Sequence, residues 1–178
     1  MRGRTRDGHS TVTAPTLELD VDPVWGQATD WEALAAEAAR AAAQVAPELA
    51  HDNLLVSVVL GDDAEVQRLN QQWRARDQPT NVLSFPMLSR SEVLHAAADD
   101  AHEGMLGDLI LAHGVCTREA ADKGIAVADH AAHLIVHGLL HLAGHDHATG
   151  EAQAQAMEAL ETKALALMGI ADPYCDAA

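Results

Sequence analysis

Cysteine is scarce: the chain has two, Cys116 and Cys175. That count excludes a disulfide scaffold. Neither cysteine has a CxxC partner, so neither is expected to bind zinc, and both read as free thiols of a reducing cytoplasm. Aromatic residues make up only 3% of the chain. Such a supply excludes the multi-ring base-stacking platforms of RRM and OB-folds. Positive charge is short as well, with 11 lysines and arginines against 27 acids and a formal charge of -16. An acidic surface of this kind repels phosphate and anionic lipid, which excludes broad coating of DNA or of a membrane surface. No apolar run approaches the roughly 18 residues of a membrane span. The basic start, Met1 to Asp7, is followed by no apolar run before Leu17, so it does not read as a signal peptide.

What is present fits one globular domain. The length is 178 residues, with 48% hydrophobic and 21% charged residues, enough to bury a core. Residues 1–15 read as a loose tail and 16–175 as the domain. Leu17, Leu19 and Val21 alternate with acids and predict a short strand. An alanine-rich helix follows from Trp31 to about Val45, capped by Thr29 or Asp30. Asn53 to Leu60 predicts a buried strand, and Asp62-Asp63 opens a helix running to about Arg76. A short strand covers Asn81 to Phe85. Residues 88–104 have no clear period and are expected to form a surface loop or mobile insert. A strand from Leu106 to Ala112, interrupted near Gly107-Asp108, precedes helices at about Val115–Lys123, Val127–Leu142 and Glu151–Met168. The expected fold class is therefore α+β: a mixed β-sheet of about four strands packed with about five helices.

Histidine is in excess, at 11 residues, and the informative stretch is His137-Gly-Leu-Leu-His141-Leu-Ala-Gly144-His145-Asp146-His147. His137 and His141 stand at i and i+4 of a predicted helix, so they share one face and can bind one ion. Gly144 permits a left-handed exit that can return His147 to the same ion. Three imidazoles with an open fourth position describe a catalytic zinc site, although nickel, copper and iron also accept imidazole. His133, one turn before His137, is an alternative ligand. His145 and Asp146 are candidates for outer hydrogen-bonding or proton-transfer groups. The spacing also matches HExxHxxGxxH peptidases, but Gly138 stands where their glutamate base belongs. A peptidase would need another base, such as Glu151 or Glu158. Charge is uneven too: Arg68, Arg74, Arg76 and Arg90 balance the four acids of residues 61–90, which makes this segment the first candidate for an anionic partner.

HGLLHLAGHDH resembles the HGxLHLxGYDH motif of the YbeY family of bacterial rRNA maturation factors. Residues 69–86, LNQQWRARDQPTNVLSFP, resemble that family's LNxxYRxxDxPTNVLSFP. Gly107-Asp-Leu-Ile-Leu111, Met157-Glu-Ala-Leu-Glu161 and Asp172-Pro-Tyr174 also match, so the likeness spans roughly residues 55–175. One departure is His145, where the family usually has tyrosine. The resemblance implies a mixed sheet with helices and one Zn2+ per chain, held by His137, His141 and His147. It also implies a single-strand-specific endoribonuclease acting in 16S rRNA 3′ end processing and ribosome quality control. The implied partners are ribosomal RNA and the small ribosomal subunit or its proteins. The family's functional arginine falls on Arg74, so Arg74 and His137 are the expected catalytic residues, and Arg74 and Arg76 the expected substrate contacts. A different class of function, a ribosome-assembly factor with a structural zinc, would be marked by a fourth protein ligand.

Overall fold

The computed structural model describes residues 12–99, 104–146 and 149–175. Its strands are β1 (Thr16–Val21), β2 (Leu54–Gly61), β3 (Val82–Pro86) and β4 (Gly104–Ala112). Its helices are α1 (Trp31–Val45), α2 (Asp63–Arg74), α3 (Arg90–Ala98), α4 (His113–Lys123), α5 (Val127–Leu142) and α6 (Glu151–Leu167). The sheet order is β1-β2-β4-β3. β1 and β4 run parallel to β2, and β3 runs antiparallel to β4. This is the expected mixed four-stranded sheet, and β3 is one of its edges.

β4 is buried on both faces, as a central strand should be. Leu109 and Leu111 face the main core beneath α1, α5 and α6, whereas Ile110 and Ala112 face a smaller cluster with Val66 of α2 and Leu83 of β3. Alanines at positions 35, 38, 39, 41, 42 and 43 give α1 a buried side without bulk, so the helix can lie close to its neighbours. The interruption expected at Gly107 is a register shift within a continuous strand, opposite Leu55 and Val56. Gly107 takes φ 154°, and a Cβ there would collide with the Phe85 carbonyl.

The loop expected over 88–104 is corrected in part: residues 90–98 form α3, bringing the helices to six among the described residues. Ser89 Oγ accepts from Glu92 N–H at 3.2 Å, and Glu92 Oε2 accepts from Ser89 N–H at 2.8 Å. That reciprocal pair is a capping box, and α3 is anchored by buried Val93 and Ala96. Helix α2 also ends earlier than expected. Ala75 adopts φ 54°, the one positive φ outside glycine among the described residues, and sets Arg76 beyond the helix.

Candidate active site

Helix α5 positions the site. It carries His130, His133, His137 and His141 on one side, with successive ring centroids 6.1, 6.3 and 4.6 Å apart. Burial falls along this row: His130 and His133 are buried, whereas His137 and His141 are partly exposed. The two exposed imidazoles open into a recess of about 320 Å³ along β3, whose walls include Arg74, Asn81, Ser84 and Pro86. This recess adjoins a groove of about 870 Å³ whose lining includes Arg74, Arg76, His141, His145 and Asp146.

Gly138 explains how α5 lies so near the sheet. A Cβ there would stand 2.6 Å from Leu109 Cδ2. The position that bears glutamate in HExxH peptidases is therefore filled by β4 packing and has no room for a side chain. Glu151 and Glu158, the other candidate bases, are exposed on α6.

Arg74 reaches the recess from the C-terminal end of α2. Its Nη2 donates to the Ser84 carbonyl at 3.0 Å, and its Cζ lies 5.8 Å from the Phe85 ring centroid. The carbonyl belongs to the edge strand, so the bond fixes the guanidinium beside the sheet edge.

The sequence-predicted residues thus gather unequally. His137, His141 and Arg74 share the recess, and Arg76, His145 and Asp146 line the adjoining groove. His147 lies outside the described residues. Among the described residues no group of three His, Cys, Asp or Glu side chains gathers in a metal-holding arrangement. His145 is tied to another element: its Nε2 lies 2.7 Å from Glu48 Oε1. Arg90 Nη1 donates to the same oxygen at 2.5 Å and to the Ala143 carbonyl at 2.7 Å. Gly144, at φ 95°, presses against Arg90 so closely that a Cβ would stand 2.7 Å from its Cδ. The turn after α5 is therefore clasped by α3 and by the short helical turn at Pro47–Leu49.

A family model described as Endoribonuclease YbeY matches residues 24–169. The chain belongs to the YbeY family. A relative named Endoribonuclease YbeY from Novosphingobium aromaticivorans is 74% identical over 163 residues, 92% of this chain and 98% of that one. Another of that name, from Erythrobacter litoralis, is 53% identical over 160 residues, 90% of this chain and 98% of its own. A Thermotoga maritima protein solved in solution has a TM-score of 0.55 at 21% identity, covering 90% of this chain and 99% of its own. That likeness supports the fold.

Sequence reasoning did not single out Glu161 as a functional residue. It is fully buried on α6, and its Oε1 takes a hydrogen bond from His137 Nδ1–H. Tyr174 donates its hydroxyl to Oε2, and His133 Nε2 stands 3.7 Å from Oε1. Burial pushes this carboxyl up. Hydrogen bonds with His133 and His137, the electrostatic influence of His137 and the Tyr174 hydroxyl outweigh burial and bring it down to about 2. The available signal was a glutamate among Met157, Ala164 and Leu165 on the buried side of α6. A carboxylate behind the far nitrogen of a metal-binding histidine fixes the ring's tautomer and orientation. The two imidazoles of His137 and His141, with Glu161 orienting the first, are donors that suit a first-row divalent metal.

Proposed function

We propose that this chain is a metal-dependent endoribonuclease that binds one zinc ion through His137, His141 and His147 and holds the scissile phosphate on Arg74. The observation that carries the reading is the meeting of His137, His141 and Arg74 in one recess at the edge of β3. The relatives' name, Endoribonuclease YbeY, supports RNA as substrate. The family resemblance supports single-stranded precursor rRNA of the small ribosomal subunit, reached in the cytoplasm.

Bound metal would supply Lewis acidity toward a phosphoryl oxygen or an attacking water. His137 would coordinate through Nε2, because its Nδ1–H is given to Glu161. Arg74 presents five N–H donors in a planar fork and uses Nη2 on Ser84, so it can clamp a phosphate while anchored. Arg76 extends the cationic side of the groove. Attack by the strand's own 2′-hydroxyl would form a 2′,3′-cyclic phosphate as the P–O5′ bond breaks. The hydroxyl proton would pass to the carboxylate of Asp146 on the groove wall, and the leaving 5′-oxygen would take a proton from solvent. Gly138 supplies no carboxylate, which sets this site apart from that of an HExxH peptidase.

Cleavage of single-stranded RNA by wild type, Arg74→Ala and His141→Ala tests the reading. Loss of a charge-assisted contact, worth about 1.5–3 kcal/mol, lowers kcat/KM of Arg74→Ala by about 10- to 100-fold. His141→Ala falls to the level of chelated wild type. Equal activity in all three would assign the cleavage to a contaminant and overturn the proposal.

A further inference from the structure

The opposite face of β3 carries a second groove, of about 600 Å³, with Leu69, Trp73, Phe85, Met87 and Ile110 among its lining residues. That volume falls in the range of small-molecule sites. Trp73 is 65% exposed and Met87 59% exposed. Such exposure carries no benefit for folding, and Trp25 and Trp31 are both buried. Three observations join this groove to the recess. Trp73 directly precedes Arg74 at the end of α2. Phe85 lines the groove while its ring lies 5.8 Å from the Arg74 guanidinium carbon. Pro86 borders the groove, the recess and the larger cleft.

We propose that this groove is a base-binding subsite, in which an unpaired RNA base stacks on Trp73 while an adjoining phosphate rests on Arg74. The groove's charge favours a base over a phosphate: its lining also includes Glu65 and Asp108, which repel an anion. The backbone is thereby kept on the arginine side of β3, and only an uncharged ring enters. One ring is no RRM or OB-fold platform, and it matches the low aromatic content: it holds one base beside the scissile phosphate. The proposal rests on the RNA reading of the recess.

The test is binding of a short fluorescein-labelled, 2′-O-methylated single strand, checked for integrity by gel, to the full-length chain. Stacking worth about 1–3 kcal/mol per base predicts that Trp73→Leu weakens binding by about 5- to 150-fold. Its salt dependence should stay unchanged. Trp73→Phe, which keeps a ring, should stay within about threefold of wild type. RNA should quench wild-type tryptophan emission but not that of Trp73→Phe, whose remaining tryptophans are buried. Arg74→Ala should instead reduce the salt slope by about one phosphate contact. Thermal melts matching wild type establish that the variants are folded. A Trp73→Leu chain that binds RNA as wild type does overturns the subsite, even if it loses a protein partner. Unchanged binding and salt slope in Arg74→Ala overturns the reading of the recess. A wild-type chain that binds no RNA overturns both.

Discussion

Glu161 links α6 to the histidine-bearing face of α5 on which the metal is proposed to bind, and its effect should be visible without any RNA. Glu161→Gln preserves size and removes the charge behind His137. Outer-shell changes of this kind typically cost about 10- to 100-fold in metal affinity, so zinc competition against a chromophoric chelator should show a loss of that size. Unchanged affinity would reduce Glu161 to a packing residue. At this scale the sequence was legible where chemistry is local. His137 and His141 are one helical turn apart, and no tertiary information is needed to place them on one face. Glu161 is 24 positions from His137, and Glu48 is 97 positions from His145. Only the packing of separate elements creates those pairs.

The clasp on the turn after α5 is a property of elements. α3 contributes Arg90, the Pro47–Leu49 turn contributes Glu48, and the chain leaving α5 contributes His145 and the Ala143 carbonyl. Burial raises the Glu48 carboxyl, but hydrogen bonds with His145 and Arg90, its own backbone and the Arg90 charge bring it down to about 2. An unfolded chain takes up this proton near the ordinary value of 4.5. Between those values the unfolded state binds more protons, so stability falls as pH drops. Urea unfolding near pH 6 and again near pH 3 should show wild type losing about 2 kcal/mol more than Glu48→Gln. Equal losses would mean that the clasp does not hold Glu48 ionised. The element responsible was half legible. Ser89-Arg-Ser-Glu92 is a capping-box pattern, but a helix that buries only Val93 and Ala96 leaves too little apolar period to be seen. Strand order was not legible either, because alternation marks a strand and its faces without naming its neighbour.

At the scale of the molecule, a body of charge -16 would, on the proposed reading, act on RNA through a small region. Arg74 and Arg76 line one groove together with His141 of α5 and with His145 from the turn after it. An acidic surround repels unspecific RNA, so on the proposed rRNA reading the targeting would come from a partner or from assembled RNA structure. The low aromatic content argues against a multi-ring platform, an argument that does not reach a single exposed tryptophan beside the recess. The measurement closest to the central claim joins metal content to cleavage in one preparation. Elemental analysis of the purified chain should give one zinc per chain, and chelation should abolish cleavage of precursor small-subunit rRNA. Stoichiometric zinc should restore it in wild type but not in His141→Ala. Full cleavage by wild type stripped of metal, or by His141→Ala without metal, would contradict the account.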